Sequence, residues 1–192
     1  MDKKEIRSLC AEVRASPSAE ETIHFEGKAV AYDSPTEYGW WTETVAPGAC
    51  ANALKRGDDV RLLKNHDPNL VLARTKSKTL TLEERDDGLY FSADAPACQW
   101  VKDFAESVKR GDIDQCSFAF AVTKDEWEYP DNPKESPKRT ILDMELFDVS
   151  IVTYPAYQDT EAVVRSAQNR SGNKGKPIKL LRMQLDLKEK ER

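Results

Sequence analysis

The chain holds only two histidines, His24 and His66. Chemistry that needs an imidazole titrating near neutral pH must therefore use one of them. His24 lies between Ile23 and Phe25 in an apolar run and reads as a structural histidine satisfied by a neighbour. His66 follows the apolar Leu62-Leu63 within Asn65-His66-Asp67-Pro68, a turn that presents its ring at a strand tip, where rigid scaffolds commonly place reacting groups. Its plainer role would be to cap that turn. A hydroxyl that such a base could activate stands in Ile113-Asp114-Gln115-Cys116-Ser117-Phe118-Ala119-Phe120-Ala121-Val122. Alternation puts Cys116, Phe118, Phe120 and Val122 on one face of a strand, and Ser117, Ala119, Ala121 and Thr123 on the other. Two alanines leave open space beside the Ser117 hydroxyl, the profile of a nucleophile. Most strand serines, however, only hydrogen-bond to the next strand.

A base needs an orienting group. The stretch Asp143-Met144-Glu145-Leu146-Phe147-Asp148-Val149-Ser150-Ile151-Val152 supplies two carboxylates. Strict alternation sets Asp148 among Leu142, Met144, Leu146, Ser150 and Val152, a costly position for a charge unless it is paired. Glu145 faces the other way, with Ile141, Phe147 and Val149. Either can steer an imidazole, and either can be an ordinary ion pair. Asp148 is preferred because its placement most needs a partner, with Glu145 as the alternative. The set then reads as Ser117 nucleophile, His66 base and Asp148 orienting acid, suited to acyl transfer. No GxSxG elbow, Walker loop, HExxH or dinucleotide glycine fingerprint competes with it.

Several elements must hold these groups. Residues 2–15 carry Ile6, Leu9, Cys10 and Val13 at helical spacing, which predicts a short amphipathic helix ended by Ser16-Pro17-Ser18. Residues 22–32 read as a first strand, with Gly27 marking a bulge or close approach. A loop with Pro35, Gly39, Trp40 and Trp41 follows, then a short helix over 47–57 with Gly57 past its end. Strands are predicted over 60–66 and 70–74, and a hairpin over 79–93 turning at Arg85-Asp86-Asp87-Gly88. Residues 99–110 form an amphipathic helix with Trp100, Val101, Phe104, Ala105 and Val108 on one stripe. The Ser117 strand, a loop over 129–137 and a long last strand over 139–153 complete the body. This order does not match βαβ alternation. The expected class is mainly β with helices, a mostly antiparallel sheet or barrel decorated by helices.

At 192 residues, 39% apolar and 33% charged, the chain suits one domain flanked by tails: residues 1–20 helical, 21–164 the body, 165–192 a basic tail. The tail carries +6 and residues 1–164 carry −11. Lacking interleaved aromatics, the tail reads as solvated rather than as a nucleic-acid binder. No run suits a membrane span or signal peptide. Cys10, Cys50, Cys98 and Cys116 are too scattered for a zinc cage or disulfide framework. No cofactor or metal is expected.

An ordered set of motifs now carries a resemblance. Gly27-Lys28-Ala29-Val30-Ala31, Ala46-Pro47-Gly48-Ala49, Leu62-Leu63-Lys64-Asn65-His66-Asp67, Val71-Leu72-Ala73-Arg74, Asp87-Gly88-Leu89, Arg110-Gly111-Asp112-Ile113, Cys116-Ser117-Phe118-Ala119-Phe120 and the run from Leu146 to Ala156 occur in sequence. Together, over roughly residues 22–160, they resemble the prohead (capsid maturation) serine proteases of tailed phages and prophages. The resemblance implies a fold like the herpesvirus assembly protease, a β-barrel surrounded by helices, with Ser117 as nucleophile and His66 as base. In the herpesvirus relatives the third member is a second histidine, where this chain offers only Glu145 and Asp148. The family carries an acid, more often Glu, at the Asp148 position, and often glycine at the Ala119 position.

The implied activity is an endopeptidase inside the assembling prohead, in the host bacterial cytoplasm. It would cleave a scaffold protein, or the scaffold segment of the major capsid protein, and then itself. Capsid and scaffold proteins are the implied partners, homo-oligomer formation is left open, and no specific nucleic acid or membrane is implied. The competing class is a non-enzymatic capsid-assembly or scaffold-binding module on the same fold.

Overall fold

Apolar residues at period two dominate the middle of the chain, and the structure follows them. The computed structural model describes residues 4–10, 13–17, 22–132 and 134–154. The basic tail and the Pro155-Ala156-Tyr157 end of the last strand lie outside the described residues. Two helices and eleven strands are described, in two sheets. One sheet has seven strands: β1 (Glu5–Cys10), β10 (Gln115–Glu128), β11 (Lys138–Val152), β5 (Trp41–Val45) and β4 (Thr36–Tyr38), in that order. To these β6 (Arg61–Lys64) adds on β11, and β7 (Val71–Arg74) on β6. The second sheet orders β2 (Val13–Pro17), β3 (Thr22–Ala31), β9 (Gly88–Pro96) and β8 (Leu80–Arg85). One core joins them, with Phe25, Leu89 and Phe91 from the smaller sheet and Phe118, Phe120, Met144 and Ile151 from the larger.

Pairing is mostly antiparallel, as expected, with two parallel exceptions, both on β11. Its start lies beside β5 and its end beside β6. The expectation of a helix-ringed barrel is corrected: the described strands form two open sheets, and the two helices do not encircle them. Helix α1 (Ala51–Arg56) ends at Gly57, whose φ of 71° closes the last turn through its N–H to Ala53 and Leu54 carbonyls. Helix α2 (Gln99–Lys109) buries Val101, Phe104, Ala105 and Val108, the predicted stripe. Gly88 serves a close approach, since a Cβ there would sit 2.1 Å from the Val30 carbonyl oxygen.

Three expectations change. The N-terminal segment is not a helix; it forms β1 and β2 in different sheets. The loop around Trp40 and Trp41 contains strands β4 and β5; Trp41 stacks on Tyr38, and Trp40 stacks on Trp127. The bulge expected near Gly27 falls at Ala29, between the Lys28 and Val30 pairings.

Candidate active site

Strand β10 presents its faces as alternation predicts. Cys116, Phe118, Phe120 and Val122 enter the core, which leaves Ser117 on the other side. Strand β11 does not alternate throughout. Its core residues are Ile141, then Met144 and Leu146, then Val149 and Ile151, so the inward phase switches twice, between Ile141 and Met144 and again between Leu146 and Val149. Ala119 pairs with Asp148 but Phe120 with Leu146, making Phe147 the extra residue of a β-bulge. The bulge takes Asp148 out of the apolar company that strict alternation gives it. Asp148 and Ser150 instead share the side occupied by Ser117, with Ser150 directly opposite the serine.

The histidine arrives from a third strand. Strand β6 runs parallel to the end of β11, pairing Leu63 with Ser150 and Lys64 with Ile151. The chain then turns through Asn65 and His66, both left-handed at φ 54° and 56°. Two consecutive non-glycine residues in that region cost on the order of 1–2 kcal/mol each. Surrounding bonds hold them there: Asn65 N–H donates to the Ile151 carbonyl, Thr153 N–H to the Asn65 side-chain oxygen, and His66 N–H to Ser150 Oγ at 3.1 Å.

The imidazole thereby spans the gap between acid and hydroxyl. His66 Nε2 lies 2.6 Å from Ser117 Oγ, and His66 Nδ1 lies 2.5 Å from Asp148 Oδ1. Burial disfavours the charged form of Asp148, but hydrogen bonds from His66 and Lys4 outweigh it and hold the carboxyl below its ordinary range. An ionised carboxylate opposite Nδ1 makes that nitrogen the donor and leaves Nε2 to accept from the serine. Lys4 Nζ is 2.8 Å from the second Asp148 oxygen, and Ser150 Oγ donates to Oδ1 at 3.2 Å. His24 is elsewhere, paired with Asp94 at 2.8 Å, the structural role expected of it. Glu145 does not join the group: it is exposed opposite Ala121, and its charge acts on Arg56.

Three neighbours went unread in the sequence. Ser150 was legible, two residues from Asp148 on one strand face. Lys4 and Ser8 were not, because the helix expected over residues 2–15 points them at nothing. In the structure Ser8 lies directly opposite Ser117 and donates to its Oγ at 2.9 Å. Among the described residues no group of three or more His, Cys, Asp or Glu side chains could hold a metal ion.

A hydroxyl, an imidazole and a carboxylate hydrogen-bonded in series suit nucleophilic attack on a carbonyl. Against known families, residues 10–174 match the model of the Caudovirus prohead serine protease. The chain belongs to this family. The match takes in Ser117, His66 and Asp148. Among solved structures the chain is similar to the bacteriophage T4 capsid assembly protease, gp21, at 12% identity and a TM-score of 0.47, over 77% of this chain and 98% of that one. No curated protein sequence matches. Among the described residues no helix is long and apolar enough to cross a membrane.

Proposed function

We propose that the chain is the capsid maturation endopeptidase of a tailed phage, with Ser117, His66 and Asp148 as its catalytic triad. The series of hydrogen bonds from Ser117 Oγ to His66 Nε2 and from Nδ1 to Asp148 carries the proposal. Ser117 Oγ attacks the carbonyl carbon of the scissile peptide as its proton passes to Nε2. Asp148 holds the ring's orientation and stabilises the imidazolium that results. Collapse of the tetrahedral intermediate expels the amine, which takes the proton from His66, and water hydrolyses the acyl-enzyme by the reverse roles. Ser150 and Lys4 position the acid and do not touch the reacting atoms.

The substrate is a scaffold protein or the scaffold segment of the major capsid protein, met inside the assembling prohead in the host cytoplasm. The enzyme then cleaves itself within the tail that follows the 21–164 body. Family membership supports the compartment and the class of target. Mass spectrometry tests both points at once. Co-expressed capsid protein and the protease's own tail should be shortened with the wild type and intact with Ser117→Ala. Equal processing by that variant would remove Ser117 from the mechanism. A second reading, a capsid-binding module without activity, draws on one observation: Ser117 is fully buried.

A further inference from the structure

A nucleophile must meet its substrate, yet Ser117 has no exposed surface. Strand β1 causes this. It is the edge strand beside β10, with Ser8 opposite Ser117, and it fills the lane along the hydroxyl. Ser117 Oγ lies 2.9 Å from the Arg7 main-chain carbonyl oxygen, an acceptor that competes with His66 Nε2 for its proton, while Ser8 Oγ donates to Ser117. One hydroxyl proton cannot serve Arg7 and His66 together. Two clefts of about 600 and 660 Å³ lie elsewhere, and neither is lined by Ser117, His66 or Asp148.

We infer that β1 is a resident occupant of the substrate's place. The substrate docks as an extended strand antiparallel to residues 115–120, and β1 must leave before it can. The inference rests on the protease reading above.

What holds β1 suits a strand that detaches. Among the described side chains of β1 no apolar one is fully buried, and Leu9 packs, partly buried, against the core. The strand's buried anchors are charges of both signs. Arg7 forks onto Glu43 through Nε at 2.5 Å and Nη2 at 3.0 Å, and Glu5 meets Arg139 at 3.0 Å. Glu5 and Arg7 also pair with each other at 2.7 Å, so they leave as a neutral unit. Glu43 and Arg139 stay behind as a second pair at 2.9 Å. Neither half is stranded as a lone buried charge, the costly outcome. The span matched by the family begins at residue 10, after nearly all of β1. An extended peptide replacing it recovers the same main-chain ladder, the usual economy of strand addition.

A reversible lock tests this. Ile6 and Ala119 lie directly opposite across the two strands. In full-length Ile6→Cys/Ala119→Cys, oxidation tethers β1 to β10. Cleavage of co-expressed capsid protein should fall to background when oxidised and return on reduction, with the wild type and each single-cysteine variant unaffected by the same treatment. Equal cleavage in both redox states overturns the inference. The second arm needs no catalysis. In native-state hydrogen exchange on full-length Ser117→Ala, residues 5–10 should open well before β11. Protection of β1 equal to that of β11 overturns the inference. Early opening with no cleavage by wild type or reduced variant instead leaves β1 detachable and removes the protease reading.

Discussion

Two polar clusters meet on the seven-stranded sheet, and neighbouring residues of β1 serve both. Ser8 reaches the Ser117–His66–Asp148 series, while Glu5 and Arg7 reach Glu43 and Arg139. The ion cluster is closed, with guanidinium forks meeting carboxylates and rings of Tyr38 and Trp127 stacked on the arginines. Burial works against the charge on Arg7, yet Glu43 and Glu5 raise its pKa. Burial also works against Glu43, whose carboxyl Arg7 and Arg139 hold low. Proton movement there would break pairs and is disfavoured from every side. The Ser117–His66–Asp148 series ends differently: a single acid polarises a ring, the ring faces a neutral hydroxyl, and only neutral groups of β1 cover that hydroxyl. Paired charges fix the first cluster, and a neutral end leaves the second exchangeable.

The largest effect that separates the two is on turnover. Ser117→Ala should abolish processing of capsid protein while leaving the unfolding transition unchanged, and His66→Ala should match it, since members of such a unit fail together. Asp148→Asn should follow with a loss on the order of 10⁴ in kcat, because an amide opposite Nδ1 favours the wrong tautomer. Glu145→Gln should retain wild-type rates; a loss equal to that of Asp148→Asn would mean the exposed carboxylate acts in the reaction.

The ion cluster should break in stability. Arg139 is fully buried and bonds to Glu5, Glu43 and Asp125 at 2.9–3.0 Å. Arg139→Met leaves Glu5 and Glu43 to Arg7 and takes the guanidinium from Asp125, and should cost about 3–5 kcal/mol, the penalty for an uncompensated buried charge. Urea unfolding in the Ser117→Ala background measures this free of self-cleavage. A cost under about 1 kcal/mol would mean that water reaches the cluster.

These contrasts explain what the sequence could disclose. The Ser117 strand was legible because Cys116, Phe118, Phe120 and Val122 alternate without interruption into one core. The faces of β11 were not, because the extra residue at Phe147 shifts the phase and nothing in Leu146-Phe147-Asp148-Val149 announces it. Asp148 was chosen for its apolar neighbours, yet it reaches His66 because the bulge removes it from them. Strand β1 was hidden by its buried charges: Glu5 and Arg7 add nothing to an apolar pattern, leaving Ile6, Leu9, Cys10 and Val13 to suggest a helix. Strands β4 and β5 hid behind Gly39 and adjacent tryptophans, and the parallel pairings of β11 join segments about a hundred residues apart.

The smallest effect tests the charged contact that the residue just before β1 makes with Asp148. Lys4 is about half exposed, at 48%, and its bond to Asp148 is of the kind worth roughly 0–1 kcal/mol. Asp148 is held below its ordinary pKa, so its contribution to stability is complete above the unfolded carboxylate value near 4 and fades as pH falls through the lower folded value. Lys4→Met removes one of the two side-chain hydrogen bonds that outweigh burial, so the folded value rises and the stability that Asp148 contributes at neutrality shrinks. Urea midpoints between about pH 3 and pH 7 should show the variant below wild type by a small deficit at neutrality, with the two curves converging on the acid side as Asp148 is protonated in both. Arg139→Met should show a much larger deficit at neutrality, which also narrows on the acid side as protonation of Glu43 relieves the charge left without its cation. Equal stability of Lys4→Met and wild type at every pH would mean that His66 and Ser150 hold the carboxylate without Lys4. Ser8, the Arg7 carbonyl and the main-chain ladder would then tie β1 to the site without help from Lys4.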